Sequence, residues 1–159
     1  MQIEIICVGK LKEKFWTEAC NEYVKRLSRF CHLHITEIKD EAVNERASNT
    51  QIEQALEKEA ERIAACLMPR DYIISLCVEG KMLASEKLAE KLANIQQIGS
   101  GRMVLIIGGS HGLSDSIKKR SDFKLSFSPM TFPHQLMRVV LLEQVYRAFK
   151  INAGENYHK

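Results

Sequence analysis

Two stretches of this chain are apolar on both alternating faces: YIISLCV at 72–78 and MVLII at 103–107. A strand with one wet face alternates apolar and polar residues, so a strand without that alternation must be covered on both sides. Such strands belong to a parallel sheet between layers of helices. The rest of the chain supplies those layers. QIEIICV (2–8), HLHITEI (32–38) and FKLSFS (123–128) read as further strands. Residues 13–27 place Phe15, Trp16, Ala19, Tyr23, Val24 and Leu27 at helical spacing. Thr50 followed by Glu53 is a capping-box signature for a helix to about Leu67, stopped by Pro69. Ser85 opens a helix that ends near Gly99, and Ser114-Asp115 begins a short one. A long helix runs from around Pro133 to near Ile151, with Thr131 as its expected N-cap. EGK (79–81) reads as a turn and 39–49 as a polar loop. The expected fold is α/β: a mostly parallel sheet with helices on both faces.

At 159 residues, without a composition shift or internal repeat, the chain is expected to form one domain over 1–159. The net charge of +3 permits a nucleic-acid partner without demanding one. The five cysteines are odd in number and form no CxxC pair, and Cys7 and Cys77 lie inside strand-like runs. Reduced, buried thiols in a cytoplasmic setting are the plain reading. No apolar run has the length of a membrane span, and the first residues read as a strand, not a signal peptide. No membrane partner is expected. The early basic cluster (Lys10, Lys12, Lys14, Lys25, Arg26, Arg29) and the acidic one (Glu53, Glu57, Glu59, Glu61) read first as solvated faces.

Three segments carry candidate chemistry. IIGGSHGL (106–113) places Gly108, Gly109 and Gly112 after a late strand as G-G-x-x-G. That is neither a dinucleotide fingerprint nor a P-loop. It is either a tight strand-to-helix turn or a loop whose backbone meets a ligand at the carboxyl end of the sheet. The final helix is apolar nearly all round, through Leu136, Val139, Val140, Leu141, Leu142 and Val145. It is either buried within the monomer or covered by a second subunit, and in so short a chain the subunit contact is favoured. Glu143 and Arg147, four apart, are spaced to pair. The tail ends Tyr157, His158, Lys159. A polar terminus is disordered by default, yet these groups suit stacking on a base and meeting phosphate. His32 and His34 share a strand face without a third ligand, so no metal site is expected. Ser110, Asp115 and His134 make a triad only on paper, since no G-x-S-x-G elbow supports it.

Taken together, VGKLKEK (8–14), YVKRLSRF (23–30), IIGGSHGL, FSPMTFPHQ (127–135), LLEQVYRAFKI (141–151) and the terminal YHK resemble the RlmH family. These are small SPOUT-class methyltransferases acting on the N3 atom of a pseudouridine in large-subunit (23S) ribosomal RNA. The resemblance spans the whole chain. It implies a C-terminal segment threaded into a deep trefoil knot, which periodicity does not show and general topology rules disfavour. It implies a homodimer acting on the assembled ribosome, and S-adenosylmethionine as methyl donor without a metal. By matching motif, the cofactor-binding positions are Leu76, Gly108, Phe127, Ser128, Pro129, Met130, Thr131 and Phe132. His158, Tyr157 and Arg138 are the expected catalytic group. His158 would assist deprotonation or hold the base from the partner subunit, Tyr157 would stack on or hydrogen-bond the nucleotide, and Arg138 and Lys159 would steer phosphate. His111 is given no role, and Pro129 stands where a lysine is also familiar. A non-catalytic RNA-binding module and a nicotinamide-dependent oxidoreductase are the rival readings, the second disfavoured by the glycine order.

Overall fold

The computed structural model describes residues 1–99 and 101–157. Five strands form one all-parallel sheet in the order β2-β1-β4-β3-β5. They are β1 (Gln2–Val8), β2 (His32–Ile38), β3 (Tyr72–Met82), β4 (Met103–Ile107) and β5 (Phe123–Ser126). The helices are α1 (Lys14–Leu27), α2 (Asn49–Ala65), α3 (Ser85–Gln97), α4 (Asp115–Arg120) and α5 (His134–Asn152).

Side-chain alternation sorts the strand residues into two cores. Ile3, Ile5 and Cys7 with Met103, Leu105 and Ile107 face one layer, packed by residues of α1, α3 and α5. Ile6, Val8, Val104 and Ile106 face the other, against Ala60 and Ile63 of α2 and Ile117 of α4. The strand order explains this division. Passages toward the β2 edge (β1 to β2, β3 to β4) use α1 and α3, whereas passages toward the β5 edge use α2 and α4. A single handedness of crossover requires opposite faces for opposite directions.

Two local expectations are corrected. EGK does not turn the chain: β3 continues to Met82, with an irregularity that sets both Leu76 and Lys81 opposite Leu125. Gly80 makes this possible, because a Cβ there would stand 2.7 Å from the Leu125 carbonyl carbon. The capping box of α2 is built two residues earlier than Thr50. Ser48 Oγ accepts from the Gln51 N–H (3.3 Å), and Gln51 Oε1 accepts from the Ser48 N–H (2.9 Å). Ser114 does cap α4, accepting from the Ile117 N–H. Ser85 is already helical, with Ala84 at the N-cap.

The amino end of the sheet is pinned by a buried ionic knot. Arg102 holds Asp71 through two hydrogen bonds (3.0 and 2.9 Å), Glu4 at 3.1 Å and the Cys66 carbonyl at 2.8 Å. The Asp71 side chain is 1% exposed and that of Glu4 6%. Burial alone would raise the Asp71 carboxyl, but Arg102 and the Met68 N–H outweigh it and hold it below its usual value. Truncating Arg102 leaves two buried carboxylates unpaired, so Arg102→Ala should cost about 3 kcal/mol of unfolding free energy in a denaturant titration. Because the folded pKa of Asp71 is depressed, its contribution is complete above its unfolded value and is lost as pH falls through the folded one. The gap between wild type and Arg102→Ala should therefore narrow in acid.

Candidate active site

The carboxyl ends of β3, β4 and β5 open into a pocket of about 800 Å³. Three chain segments wall it: Leu76–Glu79 from β3, Ile107–Leu113 after β4, and Phe127–Met137 from the β5–α5 connection. An open α/β sheet presents ligands at this edge, and the volume lies in the range of small-molecule sites. Of the expected cofactor positions, Leu76, Gly108, Phe127, Ser128, Met130, Thr131 and Phe132 all line the pocket. Pro129 is exposed and lies outside the lining. Ser128 shapes the last segment, its Oγ accepting from the Met130 N–H at 3.0 Å and its carbonyl accepting from Ser126 Oγ at 3.1 Å. Met130 (69% exposed) and Phe132 (38%) stand at the mouth as apolar surface that a ligand would cover. The helix begins after Pro133, so Thr131 is a pocket residue and not the N-cap of α5.

The glycine turn is tighter than its sequence suggests. Gly109 and Gly112 form a bridge, the Gly112 N–H donating to the Gly109 carbonyl at 3.0 Å. A Cβ on Gly108 would stand 2.3 Å from the Gly112 carbonyl oxygen and 2.5 Å from its carbon. Gly108 is therefore glycine because the turn's own backbone fills that space, and a larger residue cannot spare the fold while blocking a ligand. The glycine segment is a tight turn that also forms one wall of the pocket.

The pocket holds one cation, Lys118, among its described lining residues, and that cation is matched by Glu79 at 2.6 Å. The Lys118 hydrogen bond holds the Glu79 carboxyl below its usual value. No phosphate-binding array is present in this lining. His134, at the first turn of α5, also lines the pocket. Burial, then the charge of Arg138, hold its imidazole below the usual value, which favours the neutral ring. Asp115 is exposed and lies 3.8 Å from Lys118, so the paper triad with Ser110 and His134 is not built.

The other expected site residues lie elsewhere. Arg138 is 3% exposed. It donates to Glu37 Oε1 (2.5 Å) and to the Gly9 carbonyl (3.1 Å), tying α5 to the ends of β2 and β1. Buried in this way, the guanidinium acts here as a structural clamp. Tyr157 lies against α5: its hydroxyl donates to Glu143 Oε1 (3.2 Å), Tyr146 meets its ring edge-on, and Arg147 covers its face. Burial and its partners push the phenol up to about 12. Glu143 is six positions beyond Met137, the last pocket residue, or roughly 9 Å along the helix axis. Tyr157 is not among the residues lining the pocket. His158 and Lys159 lie outside the described residues. Glu143 and Arg147 do pair, at 2.5 Å. Among the described residues no group of three or more His, Cys, Asp or Glu side chains is arranged for a metal, and no helix is long and apolar enough to cross a membrane.

An all-parallel sheet whose carboxyl-edge loops wall a largely apolar pocket, with no phosphate grip in that lining, is the architecture in which α/β domains receive small organic ligands. Comparison with known proteins narrows the class. The family model described as "Predicted SPOUT methyltransferase" matches residues 1–158. Curated relatives named "Ribosomal RNA large subunit methyltransferase H" align with all of this chain over all of their own length. The protein from Bifidobacterium adolescentis is 54% identical and that from Clostridium novyi 53%. The chain belongs to the SPOUT methyltransferase family.

The close contact at Gly108 makes a specific prediction. Gly108→Ala must open the turn, so it should lower the unfolding free energy by about 1–3 kcal/mol and weaken ligand binding together with stability. A Gly108→Ala protein with the wild-type thermal midpoint would contradict this account of the turn.

Proposed function

We propose that the chain is a methyltransferase that uses S-adenosylmethionine to methylate the N3 atom of a pseudouridine in large-subunit ribosomal RNA. It acts on the assembled ribosome as a homodimer in the cytoplasm, and residues 1–159 form a single methyltransferase domain. The observation that carries this reading is the convergence of Leu76, Gly108 and the Phe127–Phe132 segment on one pocket. Its chemistry suits a nucleoside joined to a sulfonium: apolar walls for a ring, backbone groups for its polar edge, and no cluster of cations for a phosphate the cofactor lacks.

When bound, S-adenosylmethionine supplies a methyl group on a sulfonium, a good leaving group, so placement of the acceptor should supply much of the rate. Leu76 and Phe127 would confine the cofactor's ring, and the exposed Met130 and Phe132 would shield it from water. His158 and Tyr157 belong to the acceptor side. Because Tyr157 is tied to Glu143, beyond its own pocket, the tail serves the pocket of a partner subunit. The same dimer covers the half-buried Val139, Val140 and Tyr146 of α5, of which Val139 and Tyr146 pack on the core without being fully buried. The threaded C-terminal segment that family membership implies would hold the β5–α5 connection against the glycine turn.

Incubating purified protein and methyl donor with ribosomes from a strain lacking it should add one methyl group to a pseudouridine of the large-subunit RNA by mass mapping. A protein-free transcript should remain unmodified. Equal modification of the transcript would overturn the assembled-particle reading, and modification of neither would overturn the function.

A further inference from the structure

The early basic cluster, read first as a solvated face, divides in the structure. Lys14, Arg26 and Arg29 pair with Glu18, Glu22 and Glu155. Lys10 and Lys12 are exposed and have no ion-pair partner among the described residues. Both lie on the β1–α1 loop, which is joined to the wall of the large pocket. The Lys12 N–H donates to Gln135 Oε1 at 3.1 Å. A Cβ on Gly9 would stand 3.7 Å from Nε2 of His134, a pocket residue. Three residues beyond Lys12, in the first turn of α1, Phe15 is 57% exposed. Its ring leans on that of the half-buried Trp16, with centroids 4.8 Å apart and planes at 56°. Trp16 thus props a large apolar face in water, within a segment, KLKEKFW (10–16), that sets three lysines against one glutamate.

An exposed aromatic ring beside unpaired cations suits one class of ligand. A nucleobase stacks on the ring through its π-face, and backbone phosphates meet the ammonium groups. An apolar protein partner fits less well, because lysines are depleted from the cores of protein interfaces. A second copy seated two-fold on this patch would set its lysines against their own counterparts. We propose that Lys10, Lys12 and Phe15 dock single-stranded RNA flanking the acceptor nucleotide, with one base stacked on Phe15 and phosphates against the two lysines. The inference rests on the ribosomal RNA methyltransferase reading above and names the surface that holds the substrate while the pocket holds the methyl donor. Because the loop meets the pocket wall at His134 and Gln135, RNA held on it runs toward the site of transfer. Stacking and phosphate contacts position a strand without reading its sequence. The patch therefore orients the substrate and does not select the base.

The test is steady-state methylation of ribosomes from a strain lacking the protein. Phe15→Ala should raise KM for ribosomes about five- to a hundredfold, with kcat, S-adenosylmethionine affinity and the oligomeric state as in wild type. Phe15→Tyr, which keeps the ring, should restore the wild-type KM, and Phe15→Leu, which keeps only apolar bulk, should not. In filter binding to the same ribosomes, Lys10→Gln and Lys12→Gln should each flatten the slope of log affinity against log salt by roughly 0.7. An unchanged KM in Phe15→Ala would overturn the inference, as would an unchanged salt slope in both lysine variants. Full rescue by Phe15→Leu would also overturn it, by marking an apolar protein contact. Altered sedimentation of Phe15→Ala would overturn it too, by marking a subunit contact. In each of these cases wild-type methylation of the ribosomes leaves the proposed function standing, whereas a wild type that does not methylate them fells both.

Discussion

The sheet is buried on both faces, and the rest of the molecule follows from that. Ile5, Ile6, Val104 and Ile106 are all at most 1% exposed, although neighbours in sequence point to opposite sides. With both faces covered, only the strand ends are left for polar chemistry. The two ends are used differently. At the amino end Arg102 gathers Glu4, Asp71 and a backbone carbonyl into a closed, satisfied cluster. At the carboxyl end the loops part, and two cavities sit side by side over β1–β2 and over the β3–β4–β5 group.

The carboxyl edge is held in shape by backbone contacts and one buried charge. Gly112 fills the space a Gly108 side chain would need, which fixes the wall between the cavities. Arg138 runs beneath them, its guanidinium shared between Glu37 and the Gly9 carbonyl. Removing that charge from water is tolerable only because both partners are in place. Rigid walls suit a displacement reaction, in which orientation of donor and acceptor supplies much of the acceleration. The Cys7 and Cys31 thiols take no part in this: burial pushes Cys7 up to about 12 and Cys31 to about 11, leaving both as inert core.

Much of this was legible in the sequence, for reasons that can be named. YIISLCV and MVLII lack alternation because both their faces are buried, and that property is local. The pocket positions were legible because FSPMTFPHQ and IIGGSHGL carry a recognisable motif. What escaped was set by partners distant in the chain. Gly80 reads as a turn until β5 is seen to cross against it. Arg138 reads as a free cation until Glu37, 101 residues earlier, neutralises it. Glu59 sits among glutamates that do face water, and only the loop from β2 to α2 buries it. The final helix read as buried within the monomer or covered by a second subunit; α1 and α3 bury Leu141, Leu142 and Val145 and leave Val139, Val140 and Tyr146 half-buried.

We propose that the three-loop pocket holds S-adenosylmethionine. Calorimetric titration of the purified protein with S-adenosylmethionine tests it most directly. Saturable binding is predicted, abolished by Leu76→Arg. The absence of binding by the folded wild-type protein, or full-strength binding in Leu76→Arg, would contradict it.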